Sequence, residues 1–132
     1  MNKAITCLLI ENDPDDQEIF MLAFKEAFPR AGCWIANNCS QALERMKRRF
    51  APVPDYIFMD WNLPLMGVEE CIKKLKEAGL HNVCIFVVSG TAPPLNLEKM
   101  RQLGITKVLQ KQPSITIFAR EIRDVIASEW SE

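Results

Sequence analysis

Five apolar runs of strand length, each followed by a segment with helical spacing, decide what this chain can become. The runs are Ile5 to Ile10, Cys33 to Ala36, the stretch that leads into Asp60, Val83 to Val88, and Ile105 to Gln110. They are nearly continuous in their apolar character, as strands covered on both faces are, rather than alternating. Strand and helix alternating five times predicts an α/β fold: a five-stranded parallel sheet, doubly wound, with right-handed crossovers and five helices. The 132 residues suit one domain, read as spanning residues 1–132 with no linker, repeat or output domain.

The helices announce their own ends. Asp13 suits an N-cap, Pro14 the first helical position, and Asp15 and Asp16 the first turn, where acids complement the helix dipole. Ile19, Phe20, Ala23, Phe24, Ala27 and Phe28 then recur on one face, and Pro29 to Gly32 closes the helix. Asn38 with Gln41 resembles a capping box for a helix running to about Phe50, with Ala42, Leu43 and Met46 inward. After Gly67 a third helix runs to about Ala78, burying Val68, Cys71, Ile72 and Leu75, and Gly79 stops it. Pro93 and Pro94 are read as starting a fourth helix that ends at Gly104, and Ser114 as capping a fifth that runs to about Ser128.

Composition excludes several classes. A net charge of −1 lacks the basic excess of a nucleic-acid-binding domain. The run Lys47-Arg48-Arg49 falls near a helix C-terminus, where cations complement the dipole. No segment offers the roughly 20 apolar residues of a membrane span, and the short apolar run at the N-terminus, which enters an acidic loop, is not read as a signal peptide. The five cysteines are odd in number and contain no C-x-x-C pair, so the expectation is no disulfide, no zinc, and a reducing cytoplasmic compartment. Cys7 and Cys84 lie in apolar runs and are read as small core residues. His81, beside Asn82 in a loop, is expected to be exposed and without a catalytic partner.

What remains is a set of polar residues at strand ends. Ligands bind open α/β sheets at the carboxyl ends of the strands. There the chain places Glu11 and Asn12, then Asp60, Ser89 and Lys111. An Asp after a strand is also a common turn residue, and Asp60 alone fits either role. Together the set fits phosphoryl transfer to a carboxylate, with Asp60 as nucleophile. Mg²⁺ would bridge Asp60 and the phosphoryl oxygens, Lys111 would pair with one oxygen, and Ser89 would donate to another.

These residues resemble the receiver domain of two-component response regulators, of the chemotaxis-type single-domain kind. The resemblance runs from Ile5 to about Ser128. It is carried by Glu11, by Asp60-Trp61-Asn62-Leu63-Pro64, by Ser89-Gly90, and by Gly104 through Lys111. It implies a flavodoxin-like sheet of order 2-1-3-4-5. It further implies that Asp60 accepts a phosphoryl group from a histidine kinase or phosphotransfer protein, and that a conformational shift signals to a separate downstream protein. Glu11, Asn12, Asp60 and the Asn62 backbone carbonyl would hold Mg²⁺. Ser89, Gly90 and Lys111 would bind the phosphoryl group, Ser89 as the switch hydroxyl, with small Gly90 leaving the site open. No enzyme activity is implied beyond slow self-dephosphorylation, and neither nucleic acid nor membrane is a partner.

Four positions depart from the family pattern. Asn12 stands where the second of two adjacent acids is usual, and a neutral amide is a weaker ligand for a hard cation. The loop from Asp60 to Gly67 is one residue short. The family's Lys-Pro is Lys111-Gln112-Pro113, so the bond before Gln112 is expected to be trans or the bend to move to Pro113. Val108 occupies the position of the aromatic switch residue. Asn12, the short loop and Val108 motivate a second reading behind the phosphoacceptor one, a degenerate receiver that binds a partner without phosphorylation. A phosphatase-like turnover enzyme is disfavoured, because such enzymes commonly carry a second acid where this chain has Asn62.

Overall fold

Strand β1 (Thr6–Ile10) is followed by helix α1 (Pro14–Ala27), β2 (Gly32–Ala36), α2 (Cys39–Met46), β3 (Tyr56–Asp60) and α3 (Val68–Glu77). The second half runs β4 (Cys84–Ser89), α4 (Leu97–Leu103), β5 (Lys107–Gln110) and α5 (Ile115–Ser128). This computed structural model describes residues 4–48 and 52–129. All strand pairs are parallel, in the order β2-β1-β3-β4-β5. The order reverses between β1 and β3, and that is where a doubly wound sheet opens a crevice at its carboxyl edge.

Successive side chains point to opposite sides, and the three central strands β1, β3 and β4 bury both, while the edge strands β2 and β5 are partly exposed. Cys7, Leu9, Phe58, Phe86, Val88 and Leu109 point toward α1 and α5. Leu8, Ile10, Ile57, Met59, Ile85 and Val87 point toward α2, α3 and α4. The first layer is aromatic: Phe20 and Phe86 each lie 4.9 Å from the Phe58 ring, and Phe118 stands edge-on to Phe20 at 5.8 Å. Such pairs each add about 0.5–1.5 kcal/mol beyond the area they bury. The floor beneath the carboxyl edge is therefore rigid.

The helix signals act largely where the sequence places them. Asp13 caps α1 by accepting from the Asp15 and Asp16 amides, and Ser114 caps α5 through the Ile117 amide. Asn38 accepts from the Gln41 amide, but Gln41 Oε1 reaches back to the Asn37 amide, one residue before the reciprocal bond of a strict capping box. Helix α2 ends at Met46 with Lys47 as C-cap. Lys47 and Arg48 are already outside the helix, which corrects the expected extension as far as it is described; Arg49 and Phe50 lie outside the described residues. Gly104 ends α4 at φ 83°, and Gly79 follows α3 at φ 105°, both in the left-handed region that suits glycine.

Three further expectations are corrected. Helix α4 starts at Leu97 with Asn96 as N-cap, not at Pro93 or Pro94. Asn96 accepts from the Lys99 amide and so satisfies a first-turn donor, which an unbroken start at the prolines would not do. Cys39 and Cys71 form a disulfide joining the start of α2 to α3. Their positions on the inner faces of two neighbouring helices bring them together across 32 residues of sequence, a proximity that spacing alone does not reveal. The disulfide also removes the ground on which a reducing compartment was inferred. Cys84 is half-buried rather than a core residue, with its thiol 3.4 Å from Glu129 Oε1. Cys7 is buried and His81 exposed, as read from the sequence. No described helix is long and apolar enough to cross a membrane.

Candidate functional site

Strand register assembles the site. Asp60 ends β3 opposite Val88, and Val88 in turn pairs with Leu109. Ile10 pairs with Met59, so Glu11 stands level with Asp60 on the neighbouring strand. Alternation gives Asp60 the side of Phe58, and Glu11 and Lys111 the sides of Leu9 and Leu109, all toward α1 and α5. Lys111 lies two residues beyond the Asp60 register, about 6.6 Å along the strand, which a lysine stem can span. Its backbone amide donates to the Ser89 carbonyl at 2.8 Å and anchors the turn after β5 to the end of β4.

The Lys111 ammonium sits among three carboxylates. Nζ is 2.6 Å from Asp16 Oδ2, 3.2 Å from Glu11 Oε1 and 3.4 Å from Asp60 Oδ1. The Glu11 and Asp60 side chains are only 5% and 9% exposed, whereas Asp16 is 33% exposed. Burial raises the Glu11 carboxyl above its ordinary range and the Asp60 charge adds to this, while the Asp13 amide and Lys111 pull the other way. Burial alone would lower the Lys111 pKa; the Asp16 hydrogen bond and the Glu11 and Asp60 charges outweigh it and hold the ammonium above its ordinary value. Gln17 steadies the loop between β1 and α1 by donating to the Glu11 carbonyl and to Asn37 Oδ1.

The remaining expected residues are placed differently. Ser89 is buried, but its hydroxyl donates to the Thr91 carbonyl and accepts from the Thr91 amide. Alternation puts it on the side of Val87 and Ile85, toward α3, so its hydroxyl is not among the contacts of Asp60. Asn12 and Asn62 are both exposed. Gly90 stands in open space, where an added Cβ meets nothing within 4 Å. Val108 is half-buried against the α2, α3 and α4 layer. No described peptide bond is cis, the one before Gln112 included.

Asp16 is the residue the sequence reading missed as a member of the site. It was assigned to the helix dipole, yet it precedes inward-facing Phe20 and Ala23 by four and seven residues, the helical repeat. The apolar stripe of α1, extended back one turn, points Asp16 at the strand ends.

A divalent cation fits this rim in part. Asp60 Oδ1 is buried and has no hydrogen-bond partner among the described residues; its ion pair with Lys111, at 3.4 Å, leaves it lone-pair capacity for a metal ion or a donor. Glu11 supplies a second carboxylate, oxygen being the donor such ions take. Among the described residues no group of three or more His, Cys, Asp or Glu side chains is arranged to hold a metal.

Comparison with solved structures places the fold. The phosphorylated cyanobacterial phytochrome response regulator RcpA superposes with a TM-score of 0.80 at 16% identity, covering 98% of this chain and 96% of that one. The response regulator RPA3017, from red light signalling in R. palustris, gives 0.76 at 20% identity over 92% and 90%. The Mn²⁺-bound form of response regulator Rcp1 gives 0.75 at 19% identity over 97% and 95%. Neither a protein-family sequence model nor a curated protein sequence matches the chain. The chain has the receiver fold of response regulators, with the flavodoxin-like strand order.

Proposed function

We propose that the chain is a phosphoacceptor receiver of a two-component phosphorelay, with Asp60 as the acceptor. The observation that carries this reading is the meeting of Asp60, Glu11 and Lys111 at one rim, with Lys111 Nζ 3.4 Å from Asp60 Oδ1. An Asp60 oxygen attacks the phosphorus of a phosphohistidine on a histidine kinase or phosphotransfer protein. The O–P bond forms as the N–P bond breaks, and the histidine leaves with the bonding electron pair. Lys111 offsets charge that builds on the phosphoryl oxygens. Glu11, Asp60 and the Asn62 carbonyl would hold Mg²⁺, with exposed Asn12 contributing weakly. When bound, that ion neutralises repulsion between the acceptor and the incoming group.

Ser89 must leave Thr91 to reach a phosphoryl group on Asp60, and this exchange is the conformational step that would carry the signal to a separate downstream protein. The protein accepts a group rather than turning over a substrate, so it is not an enzyme in the ordinary sense. A cytoplasmic location rests on the donor alone, since a disulfide such as Cys39–Cys71 is a bond the cytosol ordinarily keeps reduced. Incubation with acetyl phosphate and Mg²⁺ followed by intact-mass measurement tests the reading. One phosphoryl adduct on wild type and none on Asp60→Asn supports it, and an unlabelled wild type removes it.

The hydroxyl of Ser89 held by Thr91, with exposed Asn12 and half-buried Val108, favours the second reading of a phosphorylation-independent binding module. Under that reading, Asp60→Ala captures the same partners as wild type.

A further inference from the structure

The strongest contact of the rim lysine is not with the proposed acceptor. Among its three carboxylates, Asp16 lies 0.8 Å closer to Nζ than Asp60 does, at 2.6 Å against 3.4 Å. Asp16 comes from the first turn of α1, not from a strand end, and the Asp13 cap fixes its backbone by accepting from its amide. A third of its side chain is exposed, against 5% for Glu11 and 9% for Asp60. Water can therefore take over Asp16 when the ammonium departs, at far smaller cost than at the two buried acids. The lysine also borders a small cavity floored by Leu9, Phe20, Val88 and Phe118, which leaves its stem room to swing.

Resting on the acceptor reading, we propose that Asp16 is a positioning residue: it holds Lys111 on the α1 side of the rim while Asp60 is unmodified, and yields it when a phosphoryl group arrives. Phosphorylation makes position 60 more negative and adds acceptor oxygens, so the competition for one ammonium tips from Asp16 to the phosphoryl group. Asp16 opposes phosphorylation, because its contact with Lys111 must be broken. Asp16 also adds negative charge to the rim, so comparisons belong at saturating Mg²⁺.

The test combines labelling with observation of the lysine itself. With limiting acetyl phosphate and saturating Mg²⁺, Asp16→Asn should raise the labelled fraction roughly fivefold, the scale of a partly exposed ion pair. Asp15→Asn removes the same first-turn charge but touches none of the Lys111 contacts, and should leave labelling unchanged. In a Lys111→Met background the Asp16→Asn effect should vanish, since it acts through the lysine. The Lys111 ζ-nitrogen shift, read by NMR through its ε protons, should move in Asp16→Asn and stay in Asp15→Asn. Labelling equal to wild type in Asp16→Asn, or an increase that survives in Lys111→Met, overturns the proposal. If no form is labelled, the acceptor reading fails, and an unmoved ζ-nitrogen resonance then overturns the Asp16 contact as well.

Discussion

Lys111 Nζ and Asp60 Oδ1, brought from two strands with β4 between them, lie 3.4 Å apart within ion-pair range and beyond a good hydrogen bond. Lys111 is the only cation found against Glu11, Asp16 and Asp60 among the described residues. Lys111→Met should therefore destabilise the fold at pH 7 by about 1–2 kcal/mol, through repulsion among three acids left without a counter-charge. The sign with pH follows from Glu11. Its raised pKa means that the folded state holds the proton more tightly, so ionisation costs stability as pH rises from 4.5 through the raised value. Acidification through that window should narrow the gap between variant and wild type. Lys111 has a raised pKa too, so its contribution is full below 10.5 and lost only as pH climbs through its folded value. Urea denaturation across pH measures both.

Asn12→Asp should tighten Mg²⁺ binding about tenfold by placing a third acid beside Glu11 and Asp60. Trp61, adjacent to Asp60, offers a fluorescence readout for the titration. An unchanged affinity would remove position 12 from the metal site.

The Cys39–Cys71 bond closes a loop across 32 residues of sequence, so reduction should lower stability by about 3 kcal/mol. Thermal unfolding with and without dithiothreitol checks this, and Cys39→Ser/Cys71→Ser should unfold like the reduced protein and ignore the reductant.

Burial, helped by the Glu129 carboxylate, pushes the Cys84 thiol from 9.0 up to about 11. Its neutral form is favoured by the fold, so that contribution is full below 9.0 and is lost as pH rises toward 11. Iodoacetamide should modify Cys84 roughly a hundredfold more slowly at pH 8 than an unperturbed thiol, in proportion to the thiolate fraction. Glu129→Gln should accelerate the reaction, as followed by peptide mass spectrometry.

Leu65 has φ 69° and is 94% exposed in the loop between Asp60 and α3. A leucine in the left-handed region is strained and here has no packing to offset it. Leu65→Asn should stabilise the protein by about 0.5–1 kcal/mol in the same denaturation assay, since asparagine tolerates that conformation.

The sheet was legible because both-face burial writes itself as continuous apolar runs, and the caps because Asp13, Asn38 and Ser114 each satisfy amides a helix leaves open. The rim was legible as far as strand ends dictate it, which covers Asp60, Glu11 and Lys111. Asp16 was not, because an acid in a first turn already has a local explanation that hides a tertiary one. The disulfide was hidden for a related reason: Cys39 and Cys71 read as core positions of separate helices, and only the packing of α2 on α3 joins them. The Ser89 hydroxyl escaped because alternation at the end of β4 turns it toward Thr91.

The most direct test traps the modified residue itself. After incubation with acetyl phosphate and Mg²⁺, borohydride reduces an acyl phosphate to the alcohol, so phosphorylated Asp60 is converted to homoserine, which tandem mass spectrometry locates. Homoserine at position 60, absent from untreated protein and from Asp60→Asn, is the predicted result. Recovery of unmodified Asp60 alone, or homoserine at another acid such as Asp16 or Glu11, would contradict the assignment.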